Sequence, residues 1–237
     1  MISVCMATYN GEKFIEEQLL SILKQLGEDD EVIVSDDSST DRTLDIISGI
    51  GDHRVRIFGG CSFHSPKLNF ENALKHSKGD HIYLSDQDDI WEDRKISVTE
   101  DYLTDNDLVV SDATIIDADG NVLRDSFFRL MNSGRGYLKN LCNNTYMGCC
   151  MAFDRRLLEI CLPFPRSIPM HDSYIGLMAE LCGSPVFIPD KLVRHRRHGG
   201  NASTTGERST STTWEKLRNR YWLLSATLSR THGKNII

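Results

Sequence analysis

The sequence predicts a single α/β domain built on a Rossmann-like mixed sheet, mainly parallel and flanked by helices. Three observations carry that expectation. Short apolar runs alternate with stretches of helical period up to about residue 112, most of those runs stop at a polar or acidic loop, and beyond 112 the rhythm gives way to hairpin signals. With 237 residues, 40% of them hydrophobic, the chain can bury one large core without needing a second domain.

Ile2 to Ala7 reads as a buried strand that ends in Thr8-Tyr9-Asn10-Gly11, after which Phe14, Ile15, Leu19, Ile22, Leu23 and Leu26 recur at helical spacing. Val32 to Val34 is a second strand. Asp36 to Asp41 follows as loop and N-cap, and Leu44, Ile46 and Ile47 lie on the next helix. Val55 to Phe58 is a third strand, Phe70, Ala73 and Leu74 mark a helix closed by Gly79-Asp80, and Ile82 to Leu84 is a fourth strand running into Ser85-Asp86-Gln87-Asp88-Asp89. After Val109-Val110, the segment Thr114 to Ile116, the Asp119-Gly120 turn and Val122-Leu123 read as a hairpin. Met147 to Phe153 is a further strand, a helix runs from His171-Asp172 through Leu181, and Val186 to Ile188 and Leu192-Val193 form an apolar pair. The Gly, Ser and Thr of 199–213 predict a mobile loop, and Trp214, Leu217, Tyr221, Leu224 and Leu228 repeat at helical spacing, a stripe expected to pack on the domain or on a second subunit.

The net charge is -7, unevenly spread: from Lys191 onward ten Lys/Arg face two acids, a balance of +8, which leaves -15 on residues 1–190. An acidic body argues against a nucleic-acid-binding surface and suits a site that gathers cations. On the last helix Lys216, Arg218, Arg220 and Arg230 are expected to stay free for an anionic partner such as lipid head groups; a helix packed on its own acidic body is the other reading. The seven cysteines form no Cys-x-x-Cys pair and no zinc spacing, so reduced thiols and a cytoplasmic setting are expected. The first apolar run is too short for a signal peptide, and no stretch reaches the ~20 apolar residues of a membrane span.

In an open parallel sheet, ligands bind beyond the carboxyl ends of the strands. Three predicted strand ends carry unusual chemistry here: Thr8-Tyr9-Asn10, Asp36-Asp37 and Asp86-Gln87-Asp88-Asp89. Three carboxylates in four residues repel one another unless a cation intervenes, and carboxylate oxygens are the natural ligands of Mg²⁺ or Mn²⁺. Taken alone, the cluster also reads as a solvated turn capping the helix near Arg94, and Asp36-Asp37 as a helix cap. Together they outline a nucleotide, one Asp accepting from a base N–H or ribose hydroxyl while the other cluster holds a diphosphate through metal.

At these residues the chain resembles the inverting family two glycosyltransferases with a GT-A fold, in a variant similar to bacterial polysaccharide and O-antigen transferases, rhamnosyltransferase-like members included. The likeness runs in order through Val4 to Gly11, Val34 to Asp41, Ser85 to Trp91, Gly148 to Phe153, His171-Asp172 and Arg194 to Asn201. The resemblance implies a nucleotide diphosphate sugar donor and a saccharide or lipid-linked saccharide acceptor, with Mn²⁺ or Mg²⁺ as cofactor. It further implies that Asp37 pairs with the base, Thr8, Tyr9 and Asn10 line its pocket, and Asp86 reaches the ribose or the metal. Asp88 becomes the principal metal ligand and Asp172 the acid that deprotonates the acceptor, with a cap for the helix running from Ser173 as its other reading. His198 is expected on a phosphate oxygen or the metal, with a solvated basic turn as its other reading; Trp91 walls the sugar pocket or belongs to the core; His171 orients the site or lies on the surface. On this view residues 1–112 form the donor half, 113–201 the acceptor half, and 202–237 a loop and a basic helix, with the protein peripheral at the inner face of a membrane or dimeric through that helix. A sugar nucleotidyltransferase is the enzyme rival, but it needs a Gly-rich basic loop after the first strand. A non-catalytic nucleotide-sugar-binding protein is the other.

Overall fold

A computed structural model describes residues 1–199 and 212–233. The first half winds as read: β1 (Ile2–Thr8), α1 (Ile15–Leu23), β2 (Glu31–Asp36), α2 (Thr43–Ile50), β3 (Val55–Phe58), α3 (Pro66–His76) and β4 (His81–Ser85). β1 lies in parallel between β2 and β4, and β2 pairs in parallel with β3. β1 is buried along nearly its whole length because helices cover both sheet faces, so its run Ile2 to Ala7 has no polar alternation. α1 sends Ile15, Leu19, Ile22 and Leu23 inward and Glu16 and Glu17 outward. Gly79 sets the turn into β4 against the start of β1, where a Cβ would lie 2.6 Å from the Ser3 amide.

A short strand β5 (Ile90–Trp91) and α4 (Lys95–Leu103) lead to β6 (Leu108–Ile116), which straddles residue 112. The hairpin after it is present: β7 (Val122–Arg124) pairs antiparallel with β6 across a turn with Gly120 at φ 87°. Helices α5 (Phe127–Met131) and α6 (Tyr137–Cys142) follow, then a 3₁₀ turn Gly148–Cys150, β8 (Met151–Asp154), α7 (Arg155–Cys161), α8 (His171–Cys182), β9 (Pro185–Arg196) and α9 (Thr213–Gly233). The order is β3-β2-β1-β4-β8-β6-β9-β5, antiparallel where β8 meets β4 and β6.

Two expected strands differ. Met147 to Phe153 begins with the 3₁₀ turn, and strand starts only at Met151. The apolar pair 186–193 is one long strand, β9, parallel to β6 and shifted in register around Asp112, so the break in apolar pattern marks an irregularity and no turn. α9 forms where its period placed it, but with the opposite face inward: Leu223, Ala226, Thr227 and Thr231 are buried, whereas Trp214 and Tyr221 are 74% and 61% exposed. Arg220 donates to the carbonyl of Cys142 and Arg230 to those of Cys161, Leu162 and Pro163, so two of the cations expected to be free are bound to the domain. Most of the expected mobile loop, residues 200–211, lies outside the described residues, as does Asn201. No helix among the described residues is long and apolar enough to cross a membrane.

Candidate active site

A cavity of about 830 Å³ opens beyond the carboxyl ends of β1, β2 and β4. Thr8, Tyr9, Asp37, Asp86, Asp88 and Asp172 all line it, so six of the expected site residues from four separate parts of the chain meet there. Asn10 and His198 line a neighbouring cavity of about 620 Å³. Trp91 lines neither: it is 1% exposed, with the Lys95 ammonium 4.3 Å from its ring centre and Tyr83 beside it, which makes it core rather than the wall of a sugar pocket.

The loop after β1 is held by side chains. The Tyr9 amide donates to Gln87, Asn10 to Ser39, Gly11 to Thr43 and Glu12 to Asp41, at 2.7 to 3.1 Å. Four successive backbone donors are therefore already satisfied, and the loop cannot cradle phosphate oxygens as a nucleotidyltransferase loop would. Thr8 directs its hydroxyl at the Asp36 carboxylate, 2.8 Å away, and Asp36 is fully buried as the knot between β1 and the Ser39 turn. Asp37 accepts the amides of Phe63, His64 and Ser65 and so shapes the wall of the cavity before α3. A carboxylate offers about four acceptor positions, so three amides do not exhaust it.

The Asp86 carboxyl lines the cavity, and burial, followed by the charges of Asp89 and Asp88, pushes it up to about 8. Asp88 is pushed up by burial and by Asp89 against the pull of His198, whose Nε2 lies 2.8 Å from Asp88 Oδ2. His198 is packed against the Phe14 ring, 4.9 Å between centres. Carboxyls at Asp86 and Asp88 that burial and mutual repulsion hold back from ionising, with an imidazole beside Asp88, suit a hard divalent cation with oxygen and nitrogen ligands, whose charge would offset that repulsion.

Asp89 behaves differently. Burial pushes it up, but His195 and the Arg196 amide, both 2.9 Å from its Oδ1, hold it below the usual carboxylate range. Burial would neutralise His195, yet Asp89 overcomes that and raises the imidazole to about 9. With Cys149 these two bring three donor atoms within 4.8 Å, but the thiol is pushed well above its ordinary value and Asp89 Oδ1 is also taken by the Arg196 amide. That set, of which His195 reaches the cavity wall, is a poor match for Mg²⁺ or Mn²⁺ because thiols are soft ligands and both ions prefer oxygen.

Asp172 occupies the first turn of α8, partly buried, with Oδ1 2.5 Å from the Ser173 amide. Burial raises it to about 6, opposed by that amide. His171 is not a surface residue: it is 3% exposed, stacked on Phe70 at 4.1 Å, and burial lowers it to about 3. Neutral at physiological pH, it walls the cavity beside Asp172. The sequence pattern gave no role to Gln87, His195 or Lys95 and counted Asp89 only as one of three carboxylates toward a cation; 106 residues separate the Asp89–His195 pair, a distance no local spacing rule can span.

The profile of Glycosyl transferase family 2 matches residues 3–161. The chain belongs to this family. Among curated relatives, the family 2 chain is 41% identical to the dTDP-rhamnosyl transferase RfbG of Shigella flexneri over 110 residues, 43% of this chain and 37% of that one. It is 38% identical to the Escherichia coli UDP-Glc:alpha-D-GlcNAc-diphosphoundecaprenol beta-1,3-glucosyltransferase WfaP over 99 residues, 41% and 39% of the two chains. The matched regions thus span well under two thirds of those relatives. Of solved structures, Staphylococcus aureus TarS 1–349 with UDP-GlcNAc superposes with a TM-score of 0.70 at 21% identity, covering 99% of this chain and 70% of that one. The mannosyltransferase PcManGT of Pyrobaculum calidifontis, in complex with GDP-Man and Mn²⁺, gives 0.63 at 17% identity, covering 98% and 74%. The fold of the family 2 chain is therefore the GT-A glycosyltransferase fold, as its motifs implied.

Proposed function

We propose that the chain moves a sugar from a nucleoside diphosphate sugar to an acceptor hydroxyl with inversion, in the synthesis of a bacterial surface polysaccharide. The observation that carries this is one cavity walled on one side by the Asp86-Gln87-Asp88 loop and on another by Asp172, a carboxyl tuned toward neutrality. Asp86, Asp88 and His198 would hold Mn²⁺ or Mg²⁺, which supplies charge neutralisation for the donor diphosphate. Asp37 and Tyr9 would flank the base, with residues 1–112 as donor half and 113–201 as acceptor half. Asp172 takes the hydroxyl proton as the acceptor oxygen bonds to the anomeric carbon, and the opposite carbon–oxygen bond breaks with its electron pair leaving on the diphosphate.

The names of the relatives support a dTDP- or UDP-sugar donor and a lipid-linked acceptor. The exposed Trp214, Leu217, Tyr221 and Leu228 on α9, with Lys216 and Arg218 beside them, suit the surface of an anionic membrane at its cytoplasmic face. Lys216 and Arg220 of that helix also line the cavity, so an acceptor held at the membrane would lie near its mouth.

Donor turnover tests the proposal. Purified protein with UDP- and dTDP-sugars and Mn²⁺ should release nucleoside diphosphate slowly alone and faster with a lipid-diphosphate saccharide. Binding without release in either case would mark a nucleotide-sugar-binding protein.

A further inference from the structure

Gln87, the middle residue of Asp86-Gln87-Asp88, points away from its two neighbours' task and bonds a different loop. Its Oε1 accepts the Tyr9 amide at 2.9 Å, and its Nε2 donates to the Tyr9 carbonyl at 3.0 Å. One carboxamide thus pairs both backbone groups of a single residue, as a neighbouring strand would. Tyr9, 54% exposed, lines the cavity. Gly11 makes room for the contact: a Cβ there would lie 2.4 Å from Gln87 Oε1 and 2.6 Å from its Cδ. The rest of the loop is tied to the β2–α2 segment through Ser39, Asp41 and Thr43.

The geometry points to Gln87 as a positioning residue that couples the base-binding side of the cavity to the metal-binding side. Tyr9 cannot shift without carrying the 86–88 loop with it, because two parallel hydrogen bonds resist both sliding and rotation. A nucleotide that orders Tyr9 thereby orders Asp86 and Asp88, and a cation that orders those carboxylates preorganises the base wall. Such coupling is reciprocal: nucleotide must tighten cation binding by the same factor as cation tightens nucleotide. The inference rests on the proposed donor and metal site, and it assigns the coupling between them to one side chain and one glycine.

The test uses Gln87→Leu, which keeps approximate size and adds no charge, Gly11→Ala, which removes no polar group but displaces the Gln87 carboxamide, and the double variant. Mn²⁺ affinity is measured by calorimetry with and without UDP, and in parallel dTDP, and each variant's melting temperature is recorded. In the wild type the nucleotide should tighten Mn²⁺. In either single variant that enhancement should shrink about tenfold, on the scale of one net hydrogen bond. Mn²⁺ affinity without nucleotide should change far less, and the double variant should be no worse than the singles. Donor KM should rise while kcat stays within about threefold, the pattern of lost binding rather than lost chemistry. A purely structural role would lower the melting temperature and leave the enhancement intact, which would overturn the inference, as would effects that add in the double variant. A wild type in which UDP and dTDP both leave Mn²⁺ affinity unchanged would instead overturn the underlying reading of the site.

Discussion

Replacing Asp172 by Asn separates its chemical role from its place in the helix. Asn keeps an oxygen for the Ser173 amide and is accepted in the first turn of α8, so the fold should persist. The carboxyl lies at about 6. Near pH 7 roughly ten molecules in eleven carry it ionised and able to take a proton, and its loss should lower turnover by about 10²–10⁴. The wild-type rate at saturating donor should climb about tenfold per pH unit below 6 and level off above it. Stability should move the other way. The folded carboxyl is raised from an ordinary 3.8 to about 6, so the folded state binds the proton more tightly, and ionisation costs stability as pH rises from about 4 through 6. Asn should therefore stabilise the protein by about 1–3 kcal/mol at pH 8 and by almost nothing at pH 4. Transfer rate, donor Kd and urea midpoints at both pH values test this together. Near-normal transfer, or the same stability change at both pH values, would refute the assignment of Asp172 as the base.

Asp37→Asn should weaken free nucleoside diphosphate and nucleotide sugar equally, by about tenfold in calorimetry, because it removes an acceptor from the base wall and loosens residues 63–65; a loss confined to the sugar-bearing ligand would contradict it. Gly176→Ala should cost about 1–3 kcal/mol in urea denaturation, since the new Cβ would lie 2.3 Å from the ring of Tyr146, a buried side chain anchored through its hydroxyl to Glu180; an unchanged midpoint would show that α8 gives way freely. The protein should sediment with vesicles containing anionic lipid, less so at high salt and less again for the Trp214→Ala, Leu217→Ala double variant; no sedimentation at low salt would leave the α9 stripe to another partner.

The first half of the fold was legible because its helices and strands announce themselves locally: β1 and β2 as continuous apolar runs, α1 as a clear 3.6-residue stripe. The second half was less so. β9 is partly exposed and shifts register at Asp112, so its apolar residues read as two fragments. α9 carries apolar residues on more than one face, and Arg220 and Arg230, which look like surface cations, lie on its docked side. In the site, residues that end parallel strands could be placed from sequence, because topology sends every such end to the same edge. Gln87, His195 and Lys95 could not, since their partners Tyr9, Asp89 and Cys149 are 54 to 106 residues away. His171 shows the limit of residue type as a guide: two aromatic rings, not its polarity, decide where it sits.

If a nucleoside diphosphate sugar binds through a divalent cation held at Asp86 and Asp88, its stabilisation of the fold depends on that cation. Thermal unfolding with a panel of UDP- and dTDP-sugars, in Mn²⁺ or in EDTA, on wild type and Asp88→Ala, measures that dependence. A matched donor at about a hundred times its Kd should stabilise the wild type in Mn²⁺ by roughly 2.7 kcal/mol, with little shift in EDTA or in Asp88→Ala. A donor that stabilises all three samples equally, or a panel in which none stabilises the wild type in Mn²⁺, would contradict it.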